Sequence, residues 1–368
     1  MGNTHSRSQF AQPALYRILD ANLDRTREGI RVIEEWCRFG LDNAQLTERC
    51  KELRQELAKW HAPELRAARN TPGDLGTELT HPQEETRDSI QQVLQVNFCR
   101  VQEALRVLEE YGKVYSTEMA AAVKQMRYQV YTLESSLMAD QRHQKLKQAS
   151  LYLVTSPSEK LFATIEAALQ GGLAIVQYRD KETDDLLRLS NARQLQQLCH
   201  DYGALFIVND RIDLALAVDA DGVHLGQQDM PLELARQMLG SQRLIGRSTT
   251  NPSELDCAIR EGADYVGVGP VYETPTKEGK AAAGVEYVKY AAEHCPMPWF
   301  AIGGIDTHNV QEVLSAGAHR ISVVRAIMQA DQPTLATQYF LAQLNQKQIL
   351  QGRKALSDGH STTENLWG

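Results

Sequence analysis

The sequence predicts an all-α region followed by an α/β region of the (β/α)8 TIM barrel type. Three observations carry this. From Ala14 to roughly Ala139 apolar residues recur at helical spacing with few β-branched runs. From Leu151 onward eight short β-rich runs alternate with helical segments, one helix per strand. Within that second region Leu205 to Asp229, LFIVNDRIDLALAVDADGVHLGQQD, reads strand, short helix, strand, so its strands run parallel.

Composition sets the frame. A chain of 368 residues exceeds one comfortable core and calls for two domains. The apolar share of 42% and charged share of 23% are those of a soluble globular protein. A net charge of −8 argues against general affinity for nucleic acid or membrane surfaces, so an anionic ligand must be held by a local cluster. Six scattered cysteines without a CxxC fit a reducing compartment and argue against structural zinc. With no membrane-length apolar run and a polar start, MGNTHSRSQ, the expected location is the cytoplasm.

In chain order, residues 1–12 are expected to be disordered and 13–140 to form the helical domain. Helices are predicted over about Leu15–Phe39, Ala44–Arg69, Glu84–Tyr111 and Thr117–Ala139, with the loop Asn70–Pro82 between the second and third. An internal repeat lies inside them. NLDRTREGIRVIEEW (22–36) matches NFCRVQEALRVLEEY (97–111) at an offset of 75, with shared Asn, Arg, Glu, Arg, Val, Glu and Glu. Asn22 falls on the apolar face and Arg25 at its rim, and Asn97 and Arg100 repeat this. Such residues either form a buried polar network between the repeated helices or bind something. Glu28, Arg31 and Glu35 lie on another face and suit surface ion pairs. The basic stretch 141–150 reads as a linker, 151–348 as the barrel and 349–368 as a disordered tail.

A barrel of this kind works at the C-terminal ends of its strands. Strand two ends Gln177-Tyr178-Arg179-Asp180-Lys181, and period-two alternation puts Gln177, Arg179 and Lys181 on one face, an anion site unless the cations pair with nearby carboxylates. Strands three and four supply Asn209, Asp210 and Asp229. Two converging carboxylates suit a hard cation such as Mg²⁺, or simply cap the following helices. Cations beside an acid pair fit a diphosphate bridged by Mg²⁺. Ser248 offers a hydroxyl to a phosphate or caps a helix, and the long loop GPVYETPTKEGK places Thr274, Thr276 and Lys277 around a second phosphate. The glycines of Ala301-Ile302-Gly303-Gly304 allow close approach of backbone N–H groups to a phosphomonoester. His224 is open to two readings, a base or a histidine of the core.

The barrel resembles thiamine-phosphate synthase through QYRDK (177–181), ND (209–210), DGVHLGQQD (221–229), GRS (246–248), GPVYETPTK (269–277) and AIGGI (301–305). The resemblance implies coupling of 4-amino-2-methyl-5-(diphosphomethyl)pyrimidine to a (carboxy)thiazole phosphate, with release of diphosphate. It implies that Gln177, Arg179, Lys181, Asn209, Ser248 and Lys277 hold the pyrimidine diphosphate, Arg179, Lys181 and Lys277 being the catalytic cations. It implies Mg²⁺ on Asp210 and Asp229, and the thiazole phosphate on Thr274, Pro275, Thr276, Gly303 and Gly304. Arg325 departs from the pattern, since family members often carry a small residue there. The helical part, through its repeat and GDLGTEL (73–79), resembles a module associated with phosphorylating hydroxymethylpyrimidine phosphate, although it has no P-loop.

No Ser-His-Asp or Cys-His arrangement is present, which agrees with chemistry needing charge neutralisation and positioning rather than proton transfer. The alternatives are a thiazole tautomerase or a non-catalytic phosphate-binding barrel, with a helical region that only dimerises. The expected partners are small-molecule substrates, without nucleic acid or membrane, and homo-oligomerisation stays open.

Overall fold

The computed structural model describes residues 6–70, 86–87, 89–274 and 281–360. The chain divides into two compact units, residues 1–138 and 139–368.

The first unit is helical. Helix α1 covers Ser6–Phe39, α2 Ala44–Ala58, α3 Pro63–Ala67, α4 Ile90–Tyr115 and α5 Thr117–Gln148, the division between units falling inside α5. α1 begins within the stretch expected to be disordered. The helix expected over Ala44–Arg69 breaks into α2 and α3 because Pro63 takes the first turn of α3 and Ala62 before it is extended. Asn43 and Ser89 cap α2 and α4, accepting from the N–H groups of Leu46 and Gln92. Leu19, Leu23, Ile30 and Ile33 of α1 pack with Leu94, Phe98, Val101 and Leu105 of α4 in one core.

The polar network of the repeat lies elsewhere than expected. Glu34 and its counterpart Glu109, 1% and 5% exposed, each hold two arginines. Glu34 binds Arg31 at 3.0 Å and Arg54 at 2.7 Å, and Glu109 binds Arg106 at 3.3 Å and Arg127 at 2.9 Å. Asn22 and Asn97 instead donate to their own helices, to the Ile18 and Val93 carbonyls at 2.8 and 2.7 Å. Arg31 also pairs with half-buried Glu35, while Glu28 makes no ion pair among the described residues and lines one cavity with Asn22 and Arg25 rather than lying on another face.

The second unit is a closed barrel in the order β1 to β8, every neighbouring pair parallel. The strands are β1 Leu151–Val154, β2 Ile175–Tyr178, β3 Leu205–Asn209, β4 Gly222–Leu225, β5 Leu244–Thr249, β6 Tyr265–Val268, β7 Trp299–Ile302 and β8 Ile321–Val323. Between them lie α6 Leu161–Gln170, α7 Asp185–Asp201, α8 Ile212–Ala217, α9 Leu232–Leu239, α10 Pro252–Arg260, α11 Gly284–His294 and α12 Val310–Ser315. The short α13, Arg325–Met328, and α14, Pro333–His360, follow β8, and α14 continues into the stretch expected to be a disordered tail.

Strand alternation sorts side chains into two layers. Outward residues such as Val176, Phe206 and Val223 pack on the helices, whereas Tyr152, Val154, Ile175, Leu205, Ile207, Leu244, Tyr265 and Phe300 fill the interior. Inward Gly246 is required there, because a Cβ would stand 2.2 Å from the Tyr265 ring and 2.6 Å from His224.

Residues 141–148 are not a linker. They form the last turns of α5 and belong to the barrel unit. Arg142 donates to Asp221 at 2.8 Å, His143 meets Asp264 at 3.0 Å, and Leu146 joins the interior cluster at 1% exposure. Asp221 and Asp264 directly precede β4 and β6, so this segment closes the N-terminal end of the barrel. Leu146→Ala should therefore cost about 2–5 kcal/mol, read as a lower midpoint for barrel unfolding in denaturant, and an unchanged midpoint would show the plug to be dispensable.

Candidate active site

The C-terminal strand ends bring most of the expected residues together. Gln177, the last inward residue of β2, is 4% exposed, and its amide donates to Tyr152 Oη at 2.9 Å. A polar chain continues through the barrel: Tyr152 Oη to Tyr265 Oη at 2.9 Å, Tyr265 Oη to His224 Nδ1 at 3.3 Å, and His224 Nε2 to Ser248 Oγ at 2.9 Å. Burial pushes both tyrosine hydroxyls well above the ordinary range, so they stay neutral and serve as hydrogen-bonding groups. His224 is thus a connecting residue of the interior. Ser248 is no helix cap: Asn251 caps α10 by accepting from Glu254 N–H at 3.0 Å.

Beyond β2 the chain leaves strand geometry, so the shared face of Gln177, Arg179 and Lys181 ends with Gln177. Arg179 is fixed through its backbone, its N–H donating to Thr155 Oγ1 at 2.9 Å. Thr155, 1% exposed just past β1, went unnoticed in the sequence; its signal is a hydroxyl closing the run LYLVT. Asp180 does not pair with these cations, since its carboxylate accepts from the N–H groups of Glu182 and Thr183.

Lys181 Nζ lies 2.9 Å from Asp210 Oδ2, so one of the two cations does pair with a carboxylate at the barrel mouth. Asp210 sits in left-handed backbone at φ 59°, and its N–H donates to the His224 carbonyl at 2.9 Å. Asn209 extends its amide to Asp210, and Asp229 Oδ2 accepts from Gly226 N–H at 2.6 Å. Neither aspartate caps a helix. The residue before α8 is Arg211 and before α9 Pro231, neither making a side-chain cap.

The two carboxylates are neighbours, and their pKa values are pushed in opposite directions. Burial opposes charge on Asp210, yet the bonds from Lys181 and Asp229 hold it below the ordinary range. Burial and the adjacent Asp210 push Asp229 upward, against the Gly226 N–H bond. Two acids crowded beside one cation form a site short of positive charge.

A second pocket of about 300 Å³ lies at the ends of β6, β7 and β8, lined among others by Pro270, Thr274, Gly303, Gly304, Ser322 and Arg325. Gly303 and Gly304 have φ of 107° and 68°. A Cβ on Gly304 would stand 2.8 Å from that of Tyr272, so only glycine lets the β6 loop approach. Ser322 was not foreseen. It faces inward from β8 at 3% exposure, and among the described residues its hydroxyl has no hydrogen-bond partner. A buried hydroxyl left unpaired in a cavity wall suits a ligand oxygen. Arg325 lines the same pocket. Pro275, Thr276 and Lys277 lie outside the described residues, as does GDLGTEL.

A family model described as thiamine monophosphate synthase matches residues 151–327, and one described as the ThiD2 family matches residues 17–136. The thiamine-phosphate synthase of Nostoc punctiforme is 71% identical over 345 residues, covering 94% of this chain and 98% of its own. That of Synechocystis is 62% identical over 337 residues, covering 92% and 98%. The solved thiamine phosphate pyrophosphorylase of Pyrococcus furiosus is 36% identical with a TM-score of 0.50, over 56% of this chain and 98% of that one.

Proposed function

The chain belongs to the thiamine-phosphate synthase family, which makes it a transferase of thiamine biosynthesis, and we propose that its barrel mouth carries two phosphate subsites with separate duties. The observation that carries this reading is the cluster in which Lys181 closes on Asp210 beside Asp229. Asp210 and Asp229 fit Mg²⁺, an oxygen-liking dication held by one or two carboxylates together with substrate phosphate. No third carboxylate, histidine or cysteine joins them among the described residues, so further ligands would come from substrate or water. When bound, the ion supplies positive charge to the leaving diphosphate.

The chain's own residues do the rest. Lys181 exchanges Asp210 for the diphosphate, Arg179 and Lys277 add charge, and Gln177, Asn209 and Ser248 hold the pyrimidine side. The methylene C–O bond breaks toward diphosphate, and the thiazole nitrogen lone pair forms the new C–N bond. The pocket of Thr274, Gly303, Gly304 and Ser322 holds the thiazole phosphate, a role the family resemblance extends to Pro275 and Thr276. Lys181→Ala should raise the KM for pyrimidine diphosphate about tenfold or more, whereas Ser322→Val should chiefly raise that for thiazole phosphate. Steady-state kinetics with each substrate varied decides, and exchanged effects would mean exchanged subsites.

The helical region is read as a kinase for the pyrimidine monophosphate, supported by the family match over residues 17–136. ATP consumption by the full chain with that monophosphate tests it. The six cysteines are all free, which supports a reducing compartment such as the cytoplasm as the site of action; no helix among the described residues is long and apolar enough to cross a membrane.

A further inference from the structure

The repeat in the helical unit builds a groove of its own. A cavity of about 640 Å³ between α1 and α4 is lined by Asn22, Arg25, Glu28, Gly29 and Val32 from one helix, and by Asn97, Arg100, Glu103, Ala104 and Val107 from the other. At an offset of 75 these ten residues are five matched pairs. The groove is therefore made twice from one pattern, with a small residue, Gly29 or Ala104, on each wall. Its size is that of a small-molecule site.

The repeat contains its own control for what the arginines do. Each copy carries two arginines with a glutamate three residues on. Arg31 pairs with Glu34 at 3.0 Å, and Arg106 pairs with Glu109 at 3.3 Å. At the same spacing, neither Arg25 with Glu28 nor Arg100 with Glu103 forms an ion pair, and among the described residues no other carboxylate takes their place. Both are exposed, and both line the groove. Helix geometry alone does not separate the two sets, because the spacing is identical.

The asparagines add direction. Asn22 and Asn97 each spend an amide N–H on the carbonyl four residues back, which fixes the side chain at the groove wall. Two guanidinium groups without carboxylate partners, between two amides and two carboxylates, match a small ligand with an anionic group and a hydrogen-bond-donating ring. Arginine's planar fork suits phosphate oxygens, while glutamate and the amide oxygen accept from a ring amino group.

We propose that the α1–α4 groove binds a phosphomonoester of an amino-bearing heterocycle, with Arg25 and Arg100 on the phosphate. The choice of ligand rests on the reading of this region as a pyrimidine-phosphate kinase; the location and the arginines do not.

The test is calorimetric titration of 4-amino-5-hydroxymethyl-2-methylpyrimidine phosphate into the full chain, in a Lys181→Ala background that weakens the barrel subsite. Arg25→Gln and Arg100→Gln should each weaken binding about tenfold or more, and Arg31→Gln should leave it within about twofold. Thermal melts of the same variants show that the helical unit is folded. Absence of binding by the parent chain, or equal binding after both groove substitutions, overturns the proposal. ATP-dependent formation of the pyrimidine diphosphate in the same preparations separates the two readings. Arginine-dependent binding without diphosphate formation keeps the groove and removes the kinase. Formation at an unchanged rate in both arginine variants keeps the kinase and removes the groove.

Discussion

Asp210→Asn and Asp229→Asn should each lower the coupling rate by about 10²–10³-fold or more at saturating Mg²⁺, with the fold intact. Asparagine is the informative replacement. It keeps the shape, it tolerates the left-handed backbone of residue 210, and at position 229 its oxygen still accepts from Gly226 N–H. What it removes is charge, and the proposed site depends on charge. Asp210 is the carboxylate that holds Lys181, and its neighbour Asp229 lies so close that burial and Asp210 together disfavour its ionisation. With one acid neutral, Lys181 no longer faces a competing pair, and a dication loses a ligand. Diphosphate release measured across a Mg²⁺ titration reads this out. If both variants match the unaltered chain at limiting Mg²⁺, the assignment of the metal to these residues is wrong.

The largest expected effect on stability lies at the opposite end of the barrel. Asp221→Ala should destabilise the barrel unit by about 3–5 kcal/mol, the cost of breaking a buried charge pair from one side. Asp221 is 6% exposed and holds Arg142 at 2.8 Å, His200 at 3.0 Å and the N–H of Phe206 at 2.9 Å. Burial opposes its charge, but His200 and Arg142 outweigh burial and lower its pKa from 3.8 to about 2. A depressed carboxylate stabilises the fold above its unfolded pKa and loses that contribution as pH falls through its folded one. The intact chain should therefore lose about 2 kcal/mol from this group between about pH 4 and pH 2, and the variant should lack that part of the acid sensitivity. Denaturant unfolding of the barrel transition at several pH values measures both. Equal stabilities at pH 7 would rule out a structural role for Asp221.

The sequence made the eight strands visible because each is a short, mostly apolar run, several of them with a polar residue at the end. It showed the acid pair and the cations of β2 for the same reason: strand ends are where chemistry collects in this architecture. It did not show what those groups hold. The bond from Lys181 to Asp210 joins residues 29 apart, and nothing local to either announces it. The stretch 141–148 failed as a reading for a related reason. Its lysines, arginine and glutamines look solvated, but Arg142 and His143 find their carboxylates 79 and 121 residues later. Ser248 was ambiguous between cap and ligand because its partner, His224, sits one strand back. Ser322 looked like an ordinary strand residue, and only the cavity beside it gives its bare hydroxyl a meaning.

The hydrogen-bonded chain from Gln177 through Tyr152, Tyr265 and His224 to Ser248 has a consequence for how this barrel can change over generations. Each member is satisfied by its neighbours, so altering one strands another, and the loss falls on a residue that was not altered. Effects at these five positions should not add; a second substitution that replaces the abandoned partner's polarity recovers part of what the first one lost. Drift through these positions then proceeds in matched pairs, and descendants with a different interior will have crossed a less stable intermediate to reach it.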